Sequence, residues 1–382
     1  MKLPIYLDYN ATTPLAPEVA AAIRPWLEEH FGNPSSSHPY GQRARRAVVQ
    51  ARNHVAALIG AETDEIVFTA SATEANNLAL LGIARALGDK KRHIVISAVE
   101  HPAVMQPALY LRQLGWDVTL LPVDATGRVA VADVAAALRS DTALVSVMHA
   151  NNEVGTIQPV GEIAAVAKAN GTLMHTDAAQ SAGKVELDVT ALGVDLLTLA
   201  GHKFYAPKGV GALYVRRGVL IKPILFGADQ EHGLRPGTEN VAYIVGLGEA
   251  ARLARERLPA VTRHLGELRD SLHRQLLDAV PGLLLNGHPQ HRLPNTLHVS
   301  FPGVSGRDLL AAANEVAASV GSACHSDADA VSGVLAAMDC GAARARGAVR
   351  LSVGTNTTMA EIASATAVLS DAFARVNAGR SS

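Results

Sequence analysis

Residues 172–203 run TLMHTDAAQSAGKVELDVTALGVDLLTLAGHK, and two apolar runs in this stretch, TLMHT (172–176) and DLLTL (195–199), each lead into a polar cluster. The first cluster is Asp177-Ala178-Ala179-Gln180 and the second, one residue after its run, is Gly201-His202-Lys203. Short apolar runs bounded in this way predict strands buried on both faces. Working outward, IVFT (66–69), HIVIS (93–97), DVTLL (117–121), ALVSVM (143–148) and GALYV (211–215) repeat the pattern between Ala-rich stretches of helical length. That alternation predicts an α/β fold, βαβ units on a mainly parallel sheet sandwiched by helices. In such sheets the ligand lies beyond the carboxyl ends of the strands. Ser71-Ala72-Thr73-Glu74, Glu100-His101 and Asn151-Asn152-Glu153 also stand just after strand runs. One such cluster is explained by a loop or a helix cap; five at one edge predict a site.

The chain of 382 residues is long for a single hydrophobic core, which predicts a large and a smaller domain. With 48% hydrophobic and 18% charged residues, the composition is globular. A formal net charge of −1 supplies no field for nucleic acid or an anionic membrane, so small molecules and proteins are the expected partners. Two cysteines, Cys324 and Cys340, make no disulfide framework and no CxxC metal pair, so no metal is expected. Pro4 and Asp8 interrupt the N-terminus before an apolar leader accumulates, and the expected location is cytoplasmic. The basic run at 43–52, RARRAVVQAR, has apolar positions at helical spacing and is taken as a solvated helix face.

Past an amphipathic stretch at 245–277, LLLN (283–286), TLHVS (296–300), a helix near 307–314, VRLSV (349–353) and a closing helix at 359–376 predict a smaller α+β unit. The strand IYLD (5–8) is expected to join it. The expected division is therefore 16–250 for the large domain, and 1–15 with 251–382 for a discontinuous small one.

The strand ends carry a specific chemistry. Lys203 follows a buried run directly, where desolvation lowers an amine's pKa and frees it for a Schiff base. Asp177, at the end of another strand, suits a protonated pyridine nitrogen, with Gln180 as a donor to a ring hydroxylate and His101 stacked on the ring. SATEANN (71–77) opens a helix whose free N–H groups at Ala72 and Thr73, with the Thr73 hydroxyl, suit a phosphate. Taken singly, a surface lysine, a structural histidine and an ordinary cap are the commoner fates of these residues.

Taken together the chain resembles the cysteine desulfurases, a branch of the class V aminotransferase family of fold-type I pyridoxal-phosphate enzymes. The resemblance rests on YLDYNATTP (6–14), FGNPSSSH (31–38), FTASATEANN (68–77), VEHPAV (99–104), ANNEVGTIQP (150–159), HTDAAQSAGK (175–184), GHKFYAPKGVGALYVRRG (201–218), QEHGLRPGTEN (230–240), SVGSACHSD (319–327) and VRLSVGTNTT (349–358). It implies that Lys203 carries pyridoxal 5'-phosphate, that His101 stacks on it, and that Asp177 and Gln180 meet its ring nitrogen and hydroxyl. Ala72, Thr73 and His202 would hold the phosphate, joined by Thr238 from a partner subunit, so a homodimer is implied. Asn152 and Arg350 would hold the carboxylate of L-cysteine, and Cys324 would take its sulfur as a persulfide, releasing L-alanine. The persulfide would pass to an acceptor, in iron–sulfur cluster assembly or thiolation. Cys340 has no family role and is taken as structural.

Four residues depart from the family pattern: Ala200 where most relatives have Ser, Tyr9 where Asn is common, and Ala70-Ser71 where Ser-Gly is common. The first predicts one missing phosphate hydrogen bond. The alternative within this chemistry is a selenocysteine lyase, which TLAGHKFYAPKGVGALYVR (198–216) and ASVGSACHSD (318–327) resemble, although Pro102 stands where the mammalian lyases have an acidic residue. A plain aminotransferase would need no Cys324, and a non-catalytic partner protein would need none of the set.

Overall fold

The computed structural model describes residues 3–88, 90–321 and 332–379. Its strands are β1 (Ile5–Tyr6), β2 (Ile66–Thr69), β3 (His93–Ser97), β4 (Asp117–Leu121), β5 (Thr142–Ser146), β6 (Leu173–Asp177), β7 (Leu196–Ala200), β8 (Gly211–Val215), β9 (Leu284–Asn286), β10 (Thr296–Ser300), β11 (Val316–Ala317) and β12 (Ala348–Ser352). Seven of them form one sheet in the order β2-β8-β7-β6-β5-β3-β4. The pairs from β7 through β4 are parallel, whereas β8 is antiparallel to both β2 and β7. Strands β2 and β7 therefore run the same way, and only β8 opposes the rest.

Both faces of this sheet are apolar, and alternate side chains divide between them. Ile66, Phe68, Val95, Val145 and Leu197 join one buried cluster with the helices Pro17–Glu28 and Pro39–Leu58. Val67, Ile94, Ile96, Leu144 and Leu196 join another with the helices Ala72–Leu87 and Pro102–Gln113. The edge strand β4 is the exception, exposed or half-buried until Leu121.

A third cluster gathers Leu7, Val299, Leu351, Ile362 and Leu369, around the antiparallel sheet β12-β10-β9. Strand β1 pairs in parallel with β11, and Asp8 bridges to Ser352, so the N-terminus lies beside β12. The 39-residue helix Val241–Ala279 serves two clusters: Ala242 to Leu253 pack with the large sheet, Leu265 to Leu276 with Leu7 and Val299. It begins before the 245 expected from the sequence because the Asn240 side chain caps it, accepting from the Tyr243 N–H at 3.3 Å. No helix among the described residues is long and apolar enough to cross a membrane.

Strands β6 and β7 each end one residue later than their apolar runs. Asp177 and Ala200 still pair in the ladder, opposite Thr198 and Gly211. Asp177 is thus fixed by the sheet itself rather than by a loop.

Candidate active site

The carboxyl ends of β2, β3, β5, β6 and β7 open onto one cavity of about 530 Å³. Its lining includes Ala72, Thr73, His101, Asn152, Asp177, Gln180, His202, Lys203 and Arg350, so nine of the positions singled out in the sequence meet there. Thr238 does not; it is exposed in the segment before the helix Val241–Ala279. Cys324 lies outside the described residues. Cys340 is half-buried against the cluster of Val99, Met148 and Leu335, and burial pushes its thiol pKa up, the opposite of an activated thiolate.

Lys203 sits in a short helical turn directly after β7. Its Nζ donates to the carbonyls of Asn10 at 2.6 Å and Ala11 at 2.8 Å. Burial, reinforced by the Arg350 charge and opposed by Asp177 and Asp8, brings its pKa down to about 8. A substantial neutral fraction near neutrality is what a Schiff-base lysine requires.

Asp177 is buried, with Oδ1 accepting from the Ala179 N–H at 2.9 Å and Oδ2 from Asn76 Nδ2 at 2.7 Å. These two donors fix the carboxylate plane at the cavity wall. His101 caps the helix Pro102–Gln113, its Nδ1 accepting from the Ala103 N–H at 3.1 Å. The neutral ring therefore carries its proton on Nε2. Burial lowers the His101 pKa, with Asp177 opposing and Lys203 adding to the effect.

Also at the cavity, Ser71 caps the helix Ala72–Leu87 by accepting from the Glu74 N–H at 3.1 Å. The amides of Ala72 and Thr73 precede the first intrahelical bond, from Ala75 N–H to Ser71 C=O, and are open to an anion. Strand β8 approaches this turn so closely that a Cβ on Gly211 would lie 2.8 Å from the Ser71 carbonyl carbon. His202 adds its ring nearby, with Nδ1 3.2 Å from Thr12 Oγ1, and burial first, then neighbouring lysines, lower its pKa to about 4. Ala200 lines the cavity with no hydroxyl to offer. Tyr9, by contrast, is not part of the lining; its ring packs near Tyr205 and against Gly354.

Arg350, on β12, brings the smaller sheet to the cavity. It donates through one terminal nitrogen to Asn152 O at 2.9 Å and through the other to Asp8 Oδ1 at 2.7 Å. A guanidinium has five N–H donors, and Arg350 Nε is buried with no partner among the described residues. The fork is thus oriented by Asp8 yet keeps donors for a carboxylate.

Three neighbours have partnerships that the sequence does not show. Asn10 is a hub whose carbonyl accepts from both Lys203 Nζ and Gln180 Nε2, while its amide donates to Thr296 Oγ1. Asn76 steadies Asp177, and Glu100 lines the cavity, buried, with its pKa pushed up by desolvation to about 8. All three fall inside the motif blocks already quoted, but only their partners reveal a role.

This cavity, lined by a lysine after the end of one strand, an aspartate at the end of another and a helix N-terminus, defines a cofactor-type site on a fold-type I scaffold. The residues fit pyridoxal phosphate: an amine of lowered pKa, a fixed buried carboxylate and an open amide cradle stand at separate walls of one space. The chain belongs to the aminotransferase class-V family, whose profile matches residues 5–364. It is 46% identical over 364 residues to a cysteine desulfurase IscS of Dictyoglomus turgidum, covering 95% of this chain and 92% of that one. A solved NifS-like protein superimposes with a TM-score of 0.92 at 36% identity, covering 98% of this chain and all of the other, 100%. SspA, solved in complex with cysteine, superimposes with a TM-score of 0.82 at 35% identity over 92% of this chain and 99% of its own.

Proposed function

We propose that the protein is a pyridoxal-phosphate-dependent cysteine desulfurase, converting L-cysteine to L-alanine with its sulfur left on Cys324 as a persulfide. The observation that carries this reading is the convergence of Lys203, Asp177, His101 and the Ala72–Thr73 amides on one cavity, in a chain similar to cysteine desulfurases over nearly its whole length. Bound there, the cofactor would supply an electron sink that acidifies the substrate Cα.

The chain's own residues do the rest. Lys203 Nζ, held between the Asn10 and Ala11 carbonyls, supplies the amine that carries the cofactor and later moves a proton at the substrate. Asp177, kept in place by Asn76 and Ala179, holds a proton at the ring nitrogen. Arg350 and Asn152 receive the substrate carboxylate, and His101 Nε2 stands ready to exchange a proton with the substrate thiol. The Cys324 thiolate attacks the substrate sulfur; an S–S bond forms, the Cβ–S bond breaks, and protonation of the remaining carbon skeleton gives alanine.

The finer assignments belong to the same proposal. Thr238 would complete a partner subunit's phosphate site in a homodimer, and its exposure supports this. The acceptor would be a scaffold for iron–sulfur clusters or a thiolation protein. A division into 16–250 and 1–15 with 251–382 is supported by the change of hydrophobic cluster along the helix Val241–Ala279, between Ala254 and Val261. The test is direct: reconstitute with pyridoxal phosphate, reduce with borohydride, and locate the label. The expected site is Lys203; a colourless protein that takes up no label would end the cofactor assignment.

A further inference from the structure

The turn after β6 carries a second lysine that the reaction outlined above does not use. Gly183 there has φ +72, and a Cβ at that position would lie 3.0 Å from Phe204 Cβ, so the turn is tucked against its neighbours as only glycine allows. Thr262, on the helix Val241–Ala279, donates through Oγ1 to the Lys184 carbonyl at 2.8 Å. Lys184 is buried as a result, with 5% of its surface exposed.

Its Nζ donates to Gln180 Oε1 at 3.1 Å. A lysine nitrogen has two or three donors and, as an ammonium, no acceptor, so this contact favours the carboxamide oxygen facing the lysine. The other end, Gln180 Nε2, then points to the Asn10 carbonyl at 3.0 Å, the same oxygen that accepts from Lys203 Nζ at 2.6 Å. Lys184 and the Asn10 carbonyl thus hold the amide from its two ends: exchanging Oε1 and Nε2 would set an oxygen against that carbonyl and an N–H against the lysine, and without Lys184 only the Asn10 carbonyl would oppose the exchange. Burial of Lys184 beside the Lys203 and Arg350 charges, which lowers its own pKa to about 7, is the cost of keeping a cation there.

We infer that Lys184 is a positioning residue that fixes the Gln180 carboxamide with its N–H groups toward the cavity, so that Gln180 offers a donor to the group Lys203 carries. The inference rests on the cofactor reading proposed above. A donor beside the ring's hydroxyl oxygen favours its anion, and so lowers the pH at which the visible band of the bound cofactor converts.

The test compares reconstituted wild type with Lys184→Met, following the visible band through a pH titration and thermal melting in parallel. The band midpoint is expected to rise by roughly one pH unit in Lys184→Met. In a Gln180→Leu background, where there is no amide to orient, the same substitution should move it by less than half as much. An equal shift in both backgrounds means that Lys184 acts through its charge alone, and overturns the positioning role. An unmoved midpoint with a lowered melting temperature makes the lysine merely structural, and overturns it too. If Lys184→Met does not fold, Lys184→Gln answers the question, because its amide accepts either end of Gln180; an unmoved band there has the same meaning. If wild type shows no visible band at all, the cofactor reading itself fails and the inference falls with it, whereas a coloured wild type with unshifted variants refutes the inference alone.

Discussion

Asn76 Nδ2 lies 2.7 Å from Asp177 Oδ2, tying the helix that opens at the cavity to the last residue of β6. Because Ala179 N–H occupies the other oxygen at 2.9 Å, both oxygens of Asp177 meet donors. A carboxylate accepts from both as they stand; an amide would have to turn its oxygen to the Ala179 N–H and its NH2 to Asn76, whose own amide must then flip to present Oδ1.

Asp177→Asn is accordingly expected to fold and to retain part of its cofactor while losing most of its turnover. An amide neither holds a pyridine nitrogen protonated nor sits unopposed between Asn76 and Ala179. Alanine formation from L-cysteine measures this, and near-normal turnover would mean that another group supports the ring nitrogen.

Ala200→Ser adds a hydroxyl at a cavity-lining position. It is expected to tighten cofactor retention by about 0.5–1.5 kcal/mol, the net value of one hydrogen bond. Equilibrium dialysis against pyridoxal phosphate reads the change. An unchanged affinity would place the phosphate away from residue 200.

The segment leading to Thr238 is anchored by a buried ion pair. Arg52 meets Glu231 through two contacts of 2.6 Å, and the Phe68 N–H donates to the same carboxylate at 2.7 Å. Arg52→Met strands Glu231 in the interior without its cation, which should cost about 3–5 kcal/mol. Chemical denaturation tests this, and a loss within experimental error would show that the pair contributes nothing net.

Most of the large sheet was legible because its strands alternate between two apolar faces: β2, β3 and β8 begin and end where their runs do, as does the more exposed edge strand β4. The site was legible for a related reason, since Lys203 and Asp177 stand where buried runs stop and polar residues need a purpose. What sequence could not convey was partnership. Nothing in SATEANN assigns Asn76 to Asp177, and nothing in HTDAAQSAGK shows that Lys184 turns back onto Gln180, because both contacts depend on packing between distant or tightly turned segments. Arg350 was recognisable only through the family resemblance, its place at the cavity being set by the pairing of β12 with β10 and by Asp8.

Buried histidines are expected to contribute to the loss of stability in acid. His175, between Ser146 Oγ at 2.7 Å and Thr198 Oγ1 at 3.1 Å, is kept neutral by burial, with its pKa lowered from 6.5 to about 3. As pH falls below about 6.5 the unfolded chain takes up this proton first, so the folded state loses stability progressively down to about pH 3. His175→Gln, which removes the titrating ring, should flatten the fall in stability between those limits. Parallel curves for wild type and variant, measured by denaturation at stepped pH, would assign the acid sensitivity to other groups.

The most direct measurement of the central claim is a single turnover with L-cysteine, counting alanine released against sulfur recovered on the peptide that contains Cys324. Wild type should form alanine and leave that peptide heavier by one sulfur atom in matching amounts. Cys324→Ala should bind L-cysteine yet release almost no sulfide with reductant present, while selenide release from L-selenocysteine survives better because selenium leaves more readily. Full activity of Cys324→Ala on cysteine, or a wild type that splits selenocysteine and ignores cysteine, would contradict the account.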